Sequence, residues 1–275
     1  MGLRIQTNIA SVNAQRNLRM NSGGVEKAME RLSSGVRINK SMDDVAGLAI
    51  SENMRGAIRG LGQAERNAQD GISFVQVAEG GLSETSNILV RIRELATQAA
   101  SDTIGESERK FVNVEVQQLK AELDRIAQTT EFSGTKLLDG SGKSLDFQIG
   151  IRGDDNSVIT FDAGAADAQL GALEVDGIDV QEKGDARESL ESVDKAIQKV
   201  AEMRANFGAI QSRMNTTVNN LEVYKENLAA ANSRIRDADM AEEAANLAQR
   251  TIIQQAGVAT LAQANTSNSL ALKLI

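Results

Sequence analysis

The chain contains no proline, no cysteine and no histidine, and its aromatic side chains are six phenylalanines and one tyrosine, with no tryptophan. Each absence excludes something. Proline inside a helix removes a hydrogen bond and costs ~3 kcal/mol, so a chain without it is free to form long unbroken helices. Without cysteine or histidine there is no disulfide, no thiol nucleophile, no thiolate or imidazole zinc site and no side chain that ordinarily titrates near pH 7. Carboxylates, lysine, serine and tyrosine remain for catalysis, but no catalytic, cofactor or metal residue is assigned. The shortage of rings speaks against a thick globular core in 275 residues. It suits helices paired along thin seams of Leu, Val, Ile, Met and Ala.

Two further absences bear on partners. The net charge is -8, and no basic block or stripe stands out, so neither nucleic acid nor an anionic membrane is expected as a partner. Polar residues interrupt the apolar ones in Met1-Gly2-Leu3-Arg4-Ile5-Gln6-Thr7-Asn8, which leaves no signal-peptide core there. No apolar run approaches the ~18 residues of a membrane span. The expectation is a cytosolic chain, or one that leaves the cell by a route reading no cleaved signal.

What is present is periodicity. Stepping by seven from Val193 gives Val200, Phe207, Met214, Leu221, Leu228 and Ile235, all apolar. A repeat of seven lays a stripe along one side of a slightly underwound helix. A single helix over 187–235 is ~73 Å long at 1.5 Å per residue. Stepping by seven from Met54 gives Leu61, Ala68, Val75, Leu82, Leu89 and Ala96. That stripe passes Gly60, Gly62, Gly71, Gly80 and Gly81, so this helix is expected to be weaker or locally bent. A third helix is expected from about Glu106 to Gln128 on the spacing of Val112, Val116, Leu119, Leu123 and Ile126.

The middle, roughly 130–184, changes period. Leu145, Phe147, Ile149 and Ile151 alternate with polar residues, Gly153-Asp154-Asp155-Asn156 is a turn, and Val158-Ile159-Thr160-Phe161 returns. The reading is a small β-hairpin set against the helices. Both chain ends are helical in pattern and thin. Ile5, Ile9 and Val12 recur at four and three, followed by Leu18, Val25 and Leu32 at seven; near the other end Ile252, Ala256 and Ala259 share a face with Leu247 and Leu261 nearby. Faces this thin want a partner helix. A private helical bundle and an assembling rod both fit the periodicity. The fold class is mainly α: a long coiled-coil helical rod with a small β-hairpin in the middle of the chain.

Motifs for chemistry are weak. Gly153-Asp154-Asp155-Asn156 lacks the spaced oxygen ligands of a calcium loop. Gly80-Gly81 is followed by no Gly-Lys-Ser/Thr. Asn215-Thr216-Thr217 and Asn265-Thr266-Ser267 match the glycosylation sequon but lie in helical patterns. On pattern alone, Arg91 and Arg93 with Glu94 are a solvated helix face.

Several longer segments carry a resemblance. Arg31-Leu32-Ser33-Ser34-Gly35-Val36-Arg37-Ile38-Asn39, then Asp43-Asp44-Val45-Ala46-Gly47-Leu48-Ala49-Ile50-Ser51, and Arg66-Asn67-Ala68-Gln69-Asp70-Gly71-Ile72-Ser73 resemble the N-terminal signature of bacterial flagellins. So do Val90-Arg91-Ile92-Arg93-Glu94-Leu95-Ala96 and Phe132-Ser133-Gly134-Thr135-Lys136-Leu137-Leu138-Asp139-Gly140. Ser233-Arg234-Ile235-Arg236-Asp237-Ala238-Asp239 and Gln263-Ala264-Asn265 resemble the family's C-terminal segments. The motifs occur in the family's order over nearly the whole chain.

The resemblance implies a non-enzymatic subunit that polymerises with itself into the flagellar filament, outside the cell, after passing largely unfolded through the flagellar type III export channel. It implies an inner coiled-coil layer of the two ends, 1–45 with 236–275, in which Ile5, Ile9, Val12, Leu261, Leu270 and Leu274 serve assembly. Around it stands a helical rod layer, 46–129 with 185–235, whose seam is Val193, Val200, Phe207, Met214, Leu221, Leu228 and Ile235. The short middle, 130–184, makes this a minimal member with only the two core layers. The partners implied are further copies, an export chaperone, the filament cap, hook-associated proteins and a host flagellin-sensing Toll-like receptor. The positions matching the receptor contact are Arg91, Leu95 and Glu115. Asp43-Asp44 has a structural role between the layers. One departure is the absence of the proline that many flagellins carry after Gln-Ala-Asn; here Thr266-Ser267-Asn268-Ser269 follows. The nearest rival is the hook–filament junction adaptor of the same family, which usually carries a larger middle; others are a cytosolic coiled-coil protein and a carboxylate enzyme.

Overall fold

The computed structural model describes residues 8–141, 144–164 and 166–273, with side chains as far as Thr266. Helices dominate: α1 Ile9–Ser34, α2 Val45–Ala99, α3 Glu106–Thr129, α4 Lys183–Arg236 and α5 Met240–Lys273. Between α3 and α4 lie the strand pairs β1 Glu131–Phe132 with β2 Thr135–Lys136, and β3 Ser144–Gln148 with β4 Val158–Asp162. The chain forms two compact units, one of 1–56 with 227–275 and one of 57–226. They are termed unit 1 and unit 2.

Unit 2 holds the core. On α2 the heptad residues Leu61, Ala68, Val75, Leu82, Leu89 and Ala96 are all buried, and on α4 so are Val193, Val200, Phe207 and Met214. The face of α3 formed by Val116, Leu123 and Ala127 joins them in one cluster. Phe74 on α2 is the hub of the rings. Its centroid lies 5.6 Å from Phe132, 5.6 Å from Phe147 and 5.1 Å from Phe161, edge to face, and Phe161 lies 5.1 Å from Phe207 on α4. Edge-to-face pairs add about 0.5–1.5 kcal/mol each beyond area burial. In a chain with six phenylalanines, five of them tie the strand pairs to two helices.

α2 is one continuous helix through its glycines. Three of them are sites of close approach. A Cβ on Gly60 would come 2.8 Å from Ile151, on Gly71 2.9 Å from Met214 Cε, and on Gly81 2.7 Å from Leu138 Cδ1 and 2.8 Å from Thr130 Oγ1. Spaced at eleven and ten residues, about three turns, they share one side of the helix. The middle segment and α4 lie down along that side, and packing offsets the propensity cost.

The middle holds more than one hairpin. β3 and β4 pair antiparallel, with Phe147 opposite Ile159, as the alternation predicts; the turn between them closes through a 3-10 helix at Asp155–Ser157. The unexpected additions are β1–β2 and the stretch 166–182. β1 and β2 are joined by Ser133 and Gly134, both at positive φ (51° and 81°), the backbone that a tight two-residue hairpin needs. The stretch 166–182 has no helix and no strand but buries Leu173, Val175, Ile178 and Val180. One face of α3 pins it: Lys120 Nζ donates to the carbonyls of Asp176 and Ile178, Gln117 donates to Ile178 O, and Asn113 Oδ1 accepts from Val180 N. Lys120 is buried and finds carbonyl acceptors, which is how a strap without a ladder satisfies its backbone.

Unit 1 is thinner. α1 and α5 pair antiparallel, with Asn8 donating to Ala264 O, Asn21 to Arg250 O, and Arg31 to Glu243. Gly24 gives way to the Arg250 guanidinium and Gly257 to Leu18. Gly35 ends α1 in the left-handed conformation (φ 73°), and the chain then crosses Asp237 as an antiparallel bridge at Val36. Asp44 Oδ1 accepts from Gly47 N at 2.8 Å, capping the start of α2. Asp43 accepts from Lys27 Nζ at 2.6 Å and from the amides of Lys40 and Asn39. The Lys27 contact first, then these amides, hold its carboxyl down at about 2.

Two tests follow from the packing. Nothing lies within 4 Å of a Cβ at Gly80, so Gly80→Ala should stabilise unit 2 by about 0.5–1 kcal/mol, whereas Gly81→Ala, pressed on buried Leu138 and Thr130, should destabilise it by about 1–2 kcal/mol; thermal unfolding of the two variants must move in opposite directions. Because the folded pKa of Asp43 is depressed, its stabilisation is complete above the ordinary carboxylate value of ~3.9 and is lost as pH falls through about 2. An NMR titration of this carboxyl should therefore centre near 2, and a midpoint near 4 would mean that the 39–43 turn is not closed.

Candidate assembly surfaces

The two units differ most in what they leave uncovered. Among the described residues, the buried apolar side chains of unit 1 are Ala28 and Ile38 alone; all the others belong to unit 2. Exposure runs the other way. Ile9 (56%), Val12 (59%), Met20, Met29, Ile252, Ile253 and Val258 are large apolar side chains of α1 and α5 open to solvent.

Helix geometry explains the inversion. The sides of α1 and α5 that meet mix half-buried leucines, Leu18, Leu247 and Leu261, with small or polar residues: Ser11, Ala28, Asn21 and Gly24 from α1, and Gly257, Ala264 and Glu243 from α5. The stripe of Ile9 and Val12 falls on another side of α1, as Ile252 and Ile253 do on α5. Leu261 is half-buried. Ile5 and Leu274 lie outside the described residues, as does the side chain of Leu270. Uncovered apolar surface on this scale marks an interaction site.

The α4 seam divides. Val193, Val200, Phe207 and Met214 are buried in unit 2, whereas Leu221, Leu228 and Ile235 are half-buried. The heptad continues in sequence past Met214, but the strands and the strap that thicken the core do not.

Of the three positions carried by the resemblance to a receptor contact, two side chains are at the surface. Arg91 Nε and Nη2 both donate to Glu115 Oε1, at 3.0 and 2.8 Å, across α2 and α3, and Nη1 donates to Glu94 at 3.0 Å. Glu115 and then Glu94 raise the guanidinium pKa further. Leu95 is the correction: at 2% exposure it points into the core cluster. One turn beyond Arg91, it lies beneath the charged pair.

Two exposed residues escaped the sequence reading. Phe111 (76% exposed) and Val114 stand on the outer side of α3. Periodicity carried the signal, since neither falls on the stripe of Val112, Val116, Leu119 and Leu123. Among the described residues, no helix is long and apolar enough to cross a membrane.

The model of the bacterial flagellin N-terminal helical region matches residues 5–143, and that of the bacterial flagellin C-terminal helical region matches residues 190–275. The chain is 43% identical over 271 residues to a flagellin of Halalkalibacterium halodurans, covering 98% of this chain and 99% of that protein. It is 43% identical over 285 residues to the flagellar filament 33 kDa core protein of Treponema phagedenis, covering 98% and 99%. A crystal structure of Bacillus cereus flagellin, 32% identical, superposes with a TM-score of 0.51 over 61% of this chain and 94% of that one. Matches at both ends of the chain, and relatives spanned from end to end, make it a member of the bacterial flagellin family.

Proposed function

We propose that unit 1 carries the main polymerising surface, with 1–45 and 236–275 as an inner coiled-coil layer and 46–129 with 185–235, bearing the middle 130–184, as the rod layer around it. The chain is a structural subunit of the flagellar filament, outside the cell, and polymerises with copies of itself. The observation that carries the layer assignment is the shallow burial of unit 1: among its described residues the fully buried apolar side chains are Ala28 and Ile38, Leu18 and Leu261 are half-buried, and Ile9, Val12, Ile252 and Ile253 stand in water. Ordering a residue costs about 1–2 kcal/mol of backbone entropy, and two buried apolar residues do little to offset that. Neighbouring copies covering the exposed stripes would supply the rest.

Export through a narrow channel suits a chain with no cysteine to cross-link in transit. An export chaperone, the filament cap and hook-associated proteins complete the proposed partners. The short middle and the end-to-end match to filament proteins favour the filament subunit over the junction adaptor. Deleting 1–20 or 256–275 should abolish growth on sheared filament seeds in electron micrographs while unit 2 keeps its helicity. Truncated protein that still grew filaments would overturn the layer assignment.

A second contact, with a host flagellin-sensing Toll-like receptor, is supported by the exposed Arg91–Glu115 pair. In this reading Arg91 and Glu115 make the contact and Leu95 sets the position of Arg91 from below. The free monomer should trigger receptor signalling and Arg91→Ala should weaken it by about tenfold. Monomer of native helicity that gave no signal would sink the idea.

A further inference from the structure

Five of the six phenylalanines are ring partners in the core of unit 2; the sixth, Phe111, is 76% exposed on α3, with Val114 on the next turn 61% exposed. A single exposed apolar residue needs no explanation. A ring with an apolar neighbour one turn away is the kind of anchor that dominates interfaces. Elsewhere on unit 2 an open groove of about 280 Å³ runs between β4 and α4. Ala166, Met203, Phe207 and Ile210 line it, and Asp162 and Asn206 stand at its polar edge. A cavity of roughly 150 Å³ accepts benzene, so the groove has room for a phenyl ring.

The chain's own Phe111 does not reach this groove. The Arg91–Glu115 pair sets the register of antiparallel α2 and α3 and puts Phe111 level with about residue 95 of α2. The rings of Phe74, Phe161 and Phe207 put the groove level with about residue 74. About twenty residues of helix separate the two, or ~30 Å. A knob at one place and a groove at another, repeated on every copy, form a heterologous contact. Such contacts generate open helical polymers rather than closed dimers. The charges agree: Lys110, which forms no ion pair among the described residues, adjoins the knob, and Asp162 adjoins the groove.

We propose that Phe111 of one copy seats in the Met203–Phe207–Ile210 groove of a second copy, anchoring a contact between rod layers. This rests on the filament reading, and its test separates the two. The chain has no tryptophan and no cysteine, so Phe111→Trp is a lone reporter, and Lys110→Cys with Asn206→Cys is a lone thiol pair that keeps the Phe111 ring. On seeded growth, the emission of Phe111→Trp should shift to the blue. The double-cysteine chain should form disulfides between copies in the polymer and none in the monomer. Phe111→Ala, at an exposed position, should keep its helicity and raise the concentration needed for growth by about tenfold or more. Filaments that grow normally from Phe111→Ala, or double-cysteine filaments without a cross-link between copies, would overturn this contact alone. If the unmodified chain did not polymerise, both the filament role and the contact would fall.

Discussion

Two helices side by side share one seam, and a seam buries little. Every difference between the two units depends on what else covers the helices. In unit 2, α2 meets α3 and α4, and the strand pairs and the strap of 166–182 close over them. The side chains at the heptad positions of α2 are therefore enclosed from several directions, and Phe74 has four other rings gathered around it directly or through Phe161. In unit 1, α1 has α5. Leu18 finds Gly257 and Arg250 finds Gly24, but the apolar stripes on the other sides stay open among the described residues. The same composition, Ala-rich and ring-poor, gives a core where layers stack and an open face where they do not.

The middle segment is the element that makes the difference. It has little secondary structure, yet it supplies Phe132, Phe147 and Phe161 to the ring cluster and lies against the glycines of α2. Gly60, Gly71 and Gly81 are where that approach happens. Larger residues there would push the middle off the helix and open the core to water. The strap is bound by side-chain-to-backbone bonds from Asn113, Gln117 and Lys120, because an irregular segment has no ladder to satisfy its own amides and carbonyls. These three polar residues sit at the helical spacing that a purely apolar stripe would use.

That placement explains what was legible in the sequence. Strictly periodic elements were: the α4 heptads, the α3 stripe and the alternation of β3 and β4 translate into structure with little change. Period also reveals the α2 stripe, but not that Gly60, Gly71 and Gly81 within it are contact sites. A glycine in a helix has two meanings, a propensity defect or a contact site, and only the partner distinguishes them. The strap was not legible at all, since its apolar residues follow no period and its anchors are polar residues on a helix face. Leu95 illustrates the same limit at one position. The motif around Arg91 carries residue types and not directions: four residues apart, Arg91 and Leu95 share nearly one face of α2, yet the long Arg91 side chain reaches out to Glu115 while Leu95 is enclosed in the core.

A filament constrains its subunit in a way that neither unit satisfies alone. Polymerisation by one repeated contact requires two different surfaces on each copy, because a self-complementary patch closes into a dimer and stops. Stripes on thin helices hold copies together with little regard for register, since one apolar turn resembles the next. Register has to come from a feature that occurs once. Among the described residues of unit 2 one phenylalanine is exposed, Phe111 at 76% against 49% for Tyr224, and the Met203–Phe207–Ile210 groove offers it a seat about 30 Å along the helices. The division of labour then follows from the physics of the two surfaces: broad, thin stripes in unit 1 for cohesion, and a single knob and groove in unit 2 to set how far each copy is displaced from the next.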